Sequence, residues 1–194
     1  MNRLAEYNEI RPNLKTGDLV LFSGEGLVST GIKVSTFSKW SHVGMVFEIP
    51  EHDLIMLWES TTMSKMKDFD SGEVLKGVQL VPLSERIKVF NGDIGIRCLK
   101  NKLTKHQLQR VSQLRHEFKG RPYEQNKIEL ILAALPGHID EDLSSLFCSE
   151  LIAEVLQEII LLSDGRPSND YNPGDFDEGK TPELDNWYKG LLEL

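Results

Sequence analysis

Between Ser41 and Ser60 the chain reads Ser-His-Val-Gly-Met-Val-Phe-Glu-Ile, then Pro-Glu-His-Asp, then Leu-Ile-Met-Leu-Trp-Glu-Ser. Apolar residues at 43, 45, 47 and 49 recur with the period of a strand, and Leu54 to Trp58 is an apolar run of strand length. Two such runs joined by four turn-forming residues predict a β-hairpin. A hairpin of this kind needs further strands and a covering layer before it is stable, so the rest of the chain must supply them. Leu19 to Phe22, after the turn at Leu14-Lys-Thr-Gly-Asp, is one further strand; Val78 to Val81 and Ile94 to Leu99 are two more. Pro82 to Lys88 opens a short helix between these two. Gly26 to Phe37 reads as a short helix or a folded loop, and the polar stretch 61–77 as an excursion.

Helical signals take over after residue 100. Thr104 is an N-cap candidate for a helix to Phe118, with Leu108, Val111 and Leu114 at helical spacing. Tyr123 to Leu135 is a second helix, ended by Pro136-Gly137. From Phe147 to Leu161, the apolar set Leu151, Ile152, Val155, Leu156, Ile159 and Ile160 predicts a helix with one broad buried face. A Gly/Pro/Asp/Asn loop follows over 163–182, and Trp187, Leu191 and Leu192 suggest a docked C-terminal segment. Strands first and helices afterwards make an α+β pattern without regular βαβ alternation. The 194 residues fit a single domain, with a core over about 16–176 and a docked segment over 177–194.

Charge and cysteine usage narrow the function. Twenty-two Lys+Arg against 30 Asp+Glu leave a formal charge of -8, which disfavours nucleic-acid binding. The two cysteines, Cys98 and Cys148, are too few for a disulfide scaffold. The first residues are broken by charge and show no secretory signal, and no apolar run reaches the length of a membrane span. The expectation is a cytoplasmic protein with reduced thiols and no transmembrane segment.

Cys148 lies near the predicted start of the last helix, where the macrodipole and unpaired N–H groups favour a thiolate and can stabilise an oxyanion. A cysteine between Phe147 and Leu151 also fits a plain core position. Of the five histidines, His52, His106, His116 and His138 fall in turns, loops or a polar helix. His42 enters a strand, where the sheet fixes its backbone and its ring can face a cleft, as a base requires. Glu59 ends the apolar run Leu54 to Trp58, where a charge needs a partner. A turn centred between Pro50 and Glu51 sets residues 42 and 59 opposite each other on one face, while a slip of one residue puts them on opposite faces. The sequence leaves both registers open. One Cys, one His and one Glu also form a conceivable zinc set, but no short-spaced ligand pair accompanies them.

The blocks Gly17-Asp-Leu-Val-Leu-Phe, Trp40-Ser-His-Val-Gly-Met-Val-Phe, Leu57-Trp-Glu-Ser, Gly120-Arg-Pro-Tyr-Glu and Phe147-Cys-Ser-Glu-Leu-Ile, in this order, resemble the YiiX/YebB-like permuted papain-like hydrolases. These are relatives of the NlpC-type peptidases and of lecithin:retinol acyltransferase, and the likeness spans about residues 16–176. It implies a circularly permuted papain-like fold: an antiparallel, barrel-like sheet packed against a Cys-bearing helix. It also implies Cys148 as nucleophile, His42 as general base and Glu59 as the carboxylate that orients the ring. Tyr123 and Ser149 would be substrate-binding or oxyanion contacts, and Asp175 in Asn172-Pro-Gly-Asp-Phe176 would cap or orient a neighbouring element. The reaction implied is hydrolysis or acyl transfer at an amide or acyl-ester bond, through a thioester and without a cofactor or metal. Substrates would be peptide-, isopeptide-, peptidoglycan- or lipid-like, with peripheral membrane contact compatible with the last. The segment 61–77, with Met63, Met66 and Phe69, has no counterpart in the resemblance and suits a lid or a packing patch. The alternative of another class is a non-catalytic lipid- or peptide-binding module that keeps the cleft.

Overall fold

A computed structural model describes residues 3–24, 38–61, 65–121 and 144–194, the side chains of 144–147 excepted. The expected elements at 26–37 and Tyr123 to Leu135, together with Tyr123, His138 and Met63, lie outside the described residues.

In chain order the elements are α1 (Arg3–Ile10), β1 (Leu19–Gly24), β2 (His42–Ile49), β3 (Leu54–Thr61), β4 (Gly77–Pro82), α2 (Leu83–Val89), β5 (Gly92–Arg97), α3 (Lys105–Glu117), α4 (Ser144–Glu158), α5 (Pro182–Trp187) and β6 (Leu192–Glu193). The strands form one antiparallel sheet in the order β4-β3-β2-β1-β5-β6. This is the expected α+β class. The pairing runs from β4 at one edge to β6 at the other, so the hydrogen-bonding order is that of an open sheet.

Alternation along the strands sends side chains into two cores. Leu19, Leu21, Val43, Met45, Met56 and Trp58 pack with Ile152, Val155 and Leu156 of α4 and with Val111 and Leu114 of α3. Val20, Phe22, Val46, Leu57, Val81 and Ile96 pack with Leu83 and Ile87 of α2 and Tyr7 of α1. A sheet covered on both faces explains why Leu19 to Phe22 is continuously apolar instead of alternating.

Several helix details follow local chemistry. Thr104 caps α3 through a capping box with Gln107, and Val111 and Leu114 are buried, whereas Leu108 is exposed. Helix α4 starts and stops three residues before the predicted bounds. Ile160 has φ 60°, its N–H donates to the Gln157 carbonyl, and the Leu161 N–H donates to the Leu156 carbonyl. That is a Schellman stop with a β-branched residue in the left-handed position. It turns Ile160 outward, 81% exposed, although the apolar periodicity assigned it to the buried face.

The C-terminal segment is held by other residues than the expected ones. Leu184 and Tyr188 are buried, while Trp187 and Leu192 are exposed. In the segment after β3, Met66 packs against the α2-side core and Phe69 is exposed. No helix among the described residues is long and apolar enough to cross a membrane.

Candidate active site

The hairpin turn places the site. Pro50–His52 forms a 3-10 turn and Asp53 closes it in the left-handed region at φ 49°, a conformation Asp tolerates better than most residues. The closing pair is Ile49↔Leu54, so the turn centres between Glu51 and His52, one residue later than anticipated. The register therefore shifts by two. Glu59 falls opposite Gly44 instead of His42, but a shift of two preserves the face, and both side chains remain on the side of α2.

The β2–β3 ladder runs from Ile49↔Leu54 to Met45↔Trp58. Beyond it, β2 continues against β1 as far as Phe22↔His42, and β3 continues against β4 through Glu59↔Gln79 and Ser60↔Val78. The sheet thus forks at the level of His42 and Glu59, and α4 packs across both strands. The Cys148 thiol, carried on the opposite layer, meets the imidazole at this fork.

Three buried groups are linked there. His42 Nε2 is 2.6 Å from Glu59 Oε2, and His42 is also hydrogen-bonded to Cys148. With Nε2 engaged by the carboxylate, Nδ1 is the ring nitrogen left for sulfur. Glu59 is completely buried and held from two further sides. Gln79 Nε2 donates to Oε1 at 2.7 Å, and Arg86 Nε lies 3.2–3.3 Å from the carboxylate oxygens. Arg86 reaches down from α2 with its guanidinium over the rings of Phe22 and Phe90. Phe22 also packs beside the His42 ring, with the ring centroids 5.5 Å apart.

The electrostatics follow from these contacts. Burial alone would raise the Glu59 pKa, but Arg86, then His42 and Gln79, outweigh it and hold the carboxyl down at about 2. Burial would lower the His42 pKa. The Cys148 sulfur and the Glu59 carboxylate overcome that and raise it to about 10. Glu59 is therefore a fixed anion, and His42 is disposed to keep its proton.

The Ser149 hydroxyl donates to the Tyr171 carbonyl at 2.6 Å, so it ties α4 to the loop that follows. Cys148 is the fifth residue of α4, and regular i to i−4 pairing assigns its N–H to the Ser144 carbonyl. The unpaired amides of the first turn belong to residues 144–147 instead. Asn172 is the N-cap of the turn Pro173–Phe176, and Asp175 completes the capping box by accepting from the Asn172 N–H while it also accepts from Arg166. His52, His106 and His116 are exposed and away from the site.

The chain matches no protein-family model and no curated protein. A solved structure described as that of the metalloprotein yiiX from Escherichia coli O157:H7 (DUF1105) superposes with a TM-score of 0.52. The match covers 79% of this chain and 70% of that one at 21% identity. At that identity the likeness is one of fold: a mixed α+β architecture that this chain shares with yiiX.

Proposed function

We propose that this chain is a cysteine-nucleophile hydrolase or acyltransferase acting on an amide or acyl-ester carbonyl. The observation that carries the reading is the buried series Cys148, His42, Glu59, with Glu59 locked by Arg86 and Gln79. Cys148 Sγ attacks the carbonyl carbon, and the resulting tetrahedral intermediate expels the amine or alcohol, which takes a proton from His42. A thioester remains on Cys148. Water, or a second acceptor if water is kept out, then loses its proton to His42 as it attacks the thioester, and the thiolate leaves. Glu59 stays ionised throughout, holding the ring by its Nε2 side and stabilising the imidazolium, as the third member of a triad does.

The yiiX structure is described as a metalloprotein, which makes metal binding at these residues a fair question. The donor set does not fit one ion. The Glu59 oxygens are already taken up by His42, Gln79 and Arg86 instead of being open to an ion. Among the described residues no group of three or more His, Cys, Asp and Glu side chains is placed to hold a metal, these three included.

The test combines reactivity and spectroscopy in a Cys98→Ser background. Ultraviolet thiolate absorbance and iodoacetamide alkylation are followed against pH in the parent and in His42→Ala and Glu59→Ala. Rapid alkylation of Cys148 at neutral pH that is lost with His42 is the expected result. A Cys148 whose alkylation is indifferent to His42 overturns the proposal. Screening against amides and acyl esters then assigns the substrate class, with peptide, isopeptide, peptidoglycan-type and lipid acyl donors as its arms.

A further inference from the structure

An open cavity of about 710 Å³ lies beyond the far end of β2, roughly 20 Å from His42 at about 3.3 Å per strand residue. It sits under the turn Arg11–Asn13, where β2 and β5 end and the chain approaches β6. Its volume is in the range of small-molecule sites. Ile10, Pro12 and Leu192 contribute accessible apolar wall, and Lys15, Lys102 and Lys189 contribute three ammonium groups, in a chain whose formal charge is -8.

The backbone places two of these cations. Lys15 Nζ donates to the Leu99 carbonyl at 2.9 Å. The Lys189 N–H donates to the Cys98 carbonyl at 2.8 Å, next to the Lys100 N–H on the Trp187 carbonyl, which fixes the start of the Lys189 side chain beside the cavity. Among the described residues, none of the three ammonium groups is within salt-bridge distance of a carboxylate. Glu48 is the one carboxylate in the wall, and it accepts the Thr16 N–H at 2.8 Å. Three like charges around one cavity repel one another, and a bound anion converts that repulsion into attraction.

We propose that this cavity binds a small amphiphilic anion, its head among Lys15, Lys102 and Lys189 and its short apolar chain against Ile10, Pro12 and Leu192. The inference is independent of the cysteine chemistry. Cys98 in the cavity wall is a built-in reporter.

The experiment uses the full chain with Cys148→Ser, which leaves Cys98 as the one thiol. Octanoate, octyl phosphate, octanol and inorganic phosphate are titrated by calorimetry, and the rate of Cys98 modification by a maleimide is measured at each concentration. The expected result is that octanoate or octyl phosphate binds and shields Cys98, about ten-fold more tightly than octanol or inorganic phosphate. Which of the two binds better distinguishes a carboxylate from a phosphate head. Lys102→Glu combined with Lys189→Glu, both at exposed positions, should weaken binding by about ten-fold or more with an unchanged melting curve. No binding by either amphiphile, equal affinity for octanol or inorganic phosphate, or indifference to the charge reversal overturns the proposal.

Discussion

Arg86 decides the state of Glu59, and through it the state of His42. Removing it leaves a fully buried carboxylate short of its main counter-charge, so Arg86→Ala should cost about 3 kcal/mol at neutral pH. The pH sense follows from the depressed Glu59 pKa. Its stabilising contribution is fully present above the ordinary value of 4.5 and is lost as pH falls through about 2. Urea unfolding should therefore show the wild type weakening between these limits, with a flatter acid slope in Arg86→Ala. Equal stability at pH 7 would show that the ion pair contributes nothing. His42 behaves in the opposite sense, since a raised histidine pKa contributes stability fully below 6.5 and loses it as pH rises through about 10. Nitrogen-labelled histidine NMR should find the His42 imidazolium persisting far into the alkaline range, and Cys148→Ala should move its titration down. A His42 that titrates near 6.5 in both proteins would remove Cys148 as a cause. Cys148, His42 and Glu59 were legible as candidates because a cysteine near a helix start, a histidine entering a strand and a carboxylate ending an apolar run occur together in one chain. Gln79 and Arg86 were not. They meet Glu59 only because β4 pairs with β3 and α2 folds over the sheet, contacts that local sequence does not encode.

Elements were legible where chemistry is local. The hairpin, the Thr104 cap and the alternation of β2 depend on neighbours a few residues apart, and they appear as expected. The hairpin register depended on how a Pro-Glu-His-Asp turn distributes its residues, and the left-handed Asp53 moved the centre by one. The end of α4 failed for a related reason. Apolar periodicity carries no sign of φ, so Ile160 looked like core while its backbone was the helix stop. A β-branched residue in the left-handed region costs on the order of 1–2 kcal/mol, and this one buries little in return. Ile160→Gly should accordingly stabilise the protein by about 1 kcal/mol, raising the melting temperature by roughly 2–4 °C. Calorimetry checks this, and a lower melting temperature would mean that the isoleucine side chain holds the stop by contacts stronger than the strain.

At the scale of the whole molecule, the sheet separates two regions of opposite character. The fork between β2 and β3 collects one ionised, enclosed series of side chains, and the far end of β2, beside β5 and β6, opens into a cation-rich cavity. Neither was legible in the sequence, because a fork is a change of partner between strands and a cavity is a property of four separated segments. The C-terminal segment completes the second region, and its attachment is an interior one. Arg97, buried in β5, donates to the Phe176 and Asp177 carbonyls and to Asp185 Oδ1 at 2.7 Å, and its guanidinium lies over the Tyr188 ring. Tyr188 in turn donates its hydroxyl to the Gly17 carbonyl at 2.8 Å. Lys39 and Glu193, by contrast, pair at the surface beside β6, where solvent screens the attraction. Asp185→Ala should therefore cost about 2 kcal/mol, less than a fully enclosed pair because the Asp185 side chain is 35% exposed and Arg97 keeps its carbonyl acceptors. Asp185→Asn, which retains an acceptor without the charge, should lose about half as much, and Glu193→Ala should leave the unfolding curve unchanged. If Glu193→Ala proved the more damaging, the segment would be held by its edge strand instead of by Arg97.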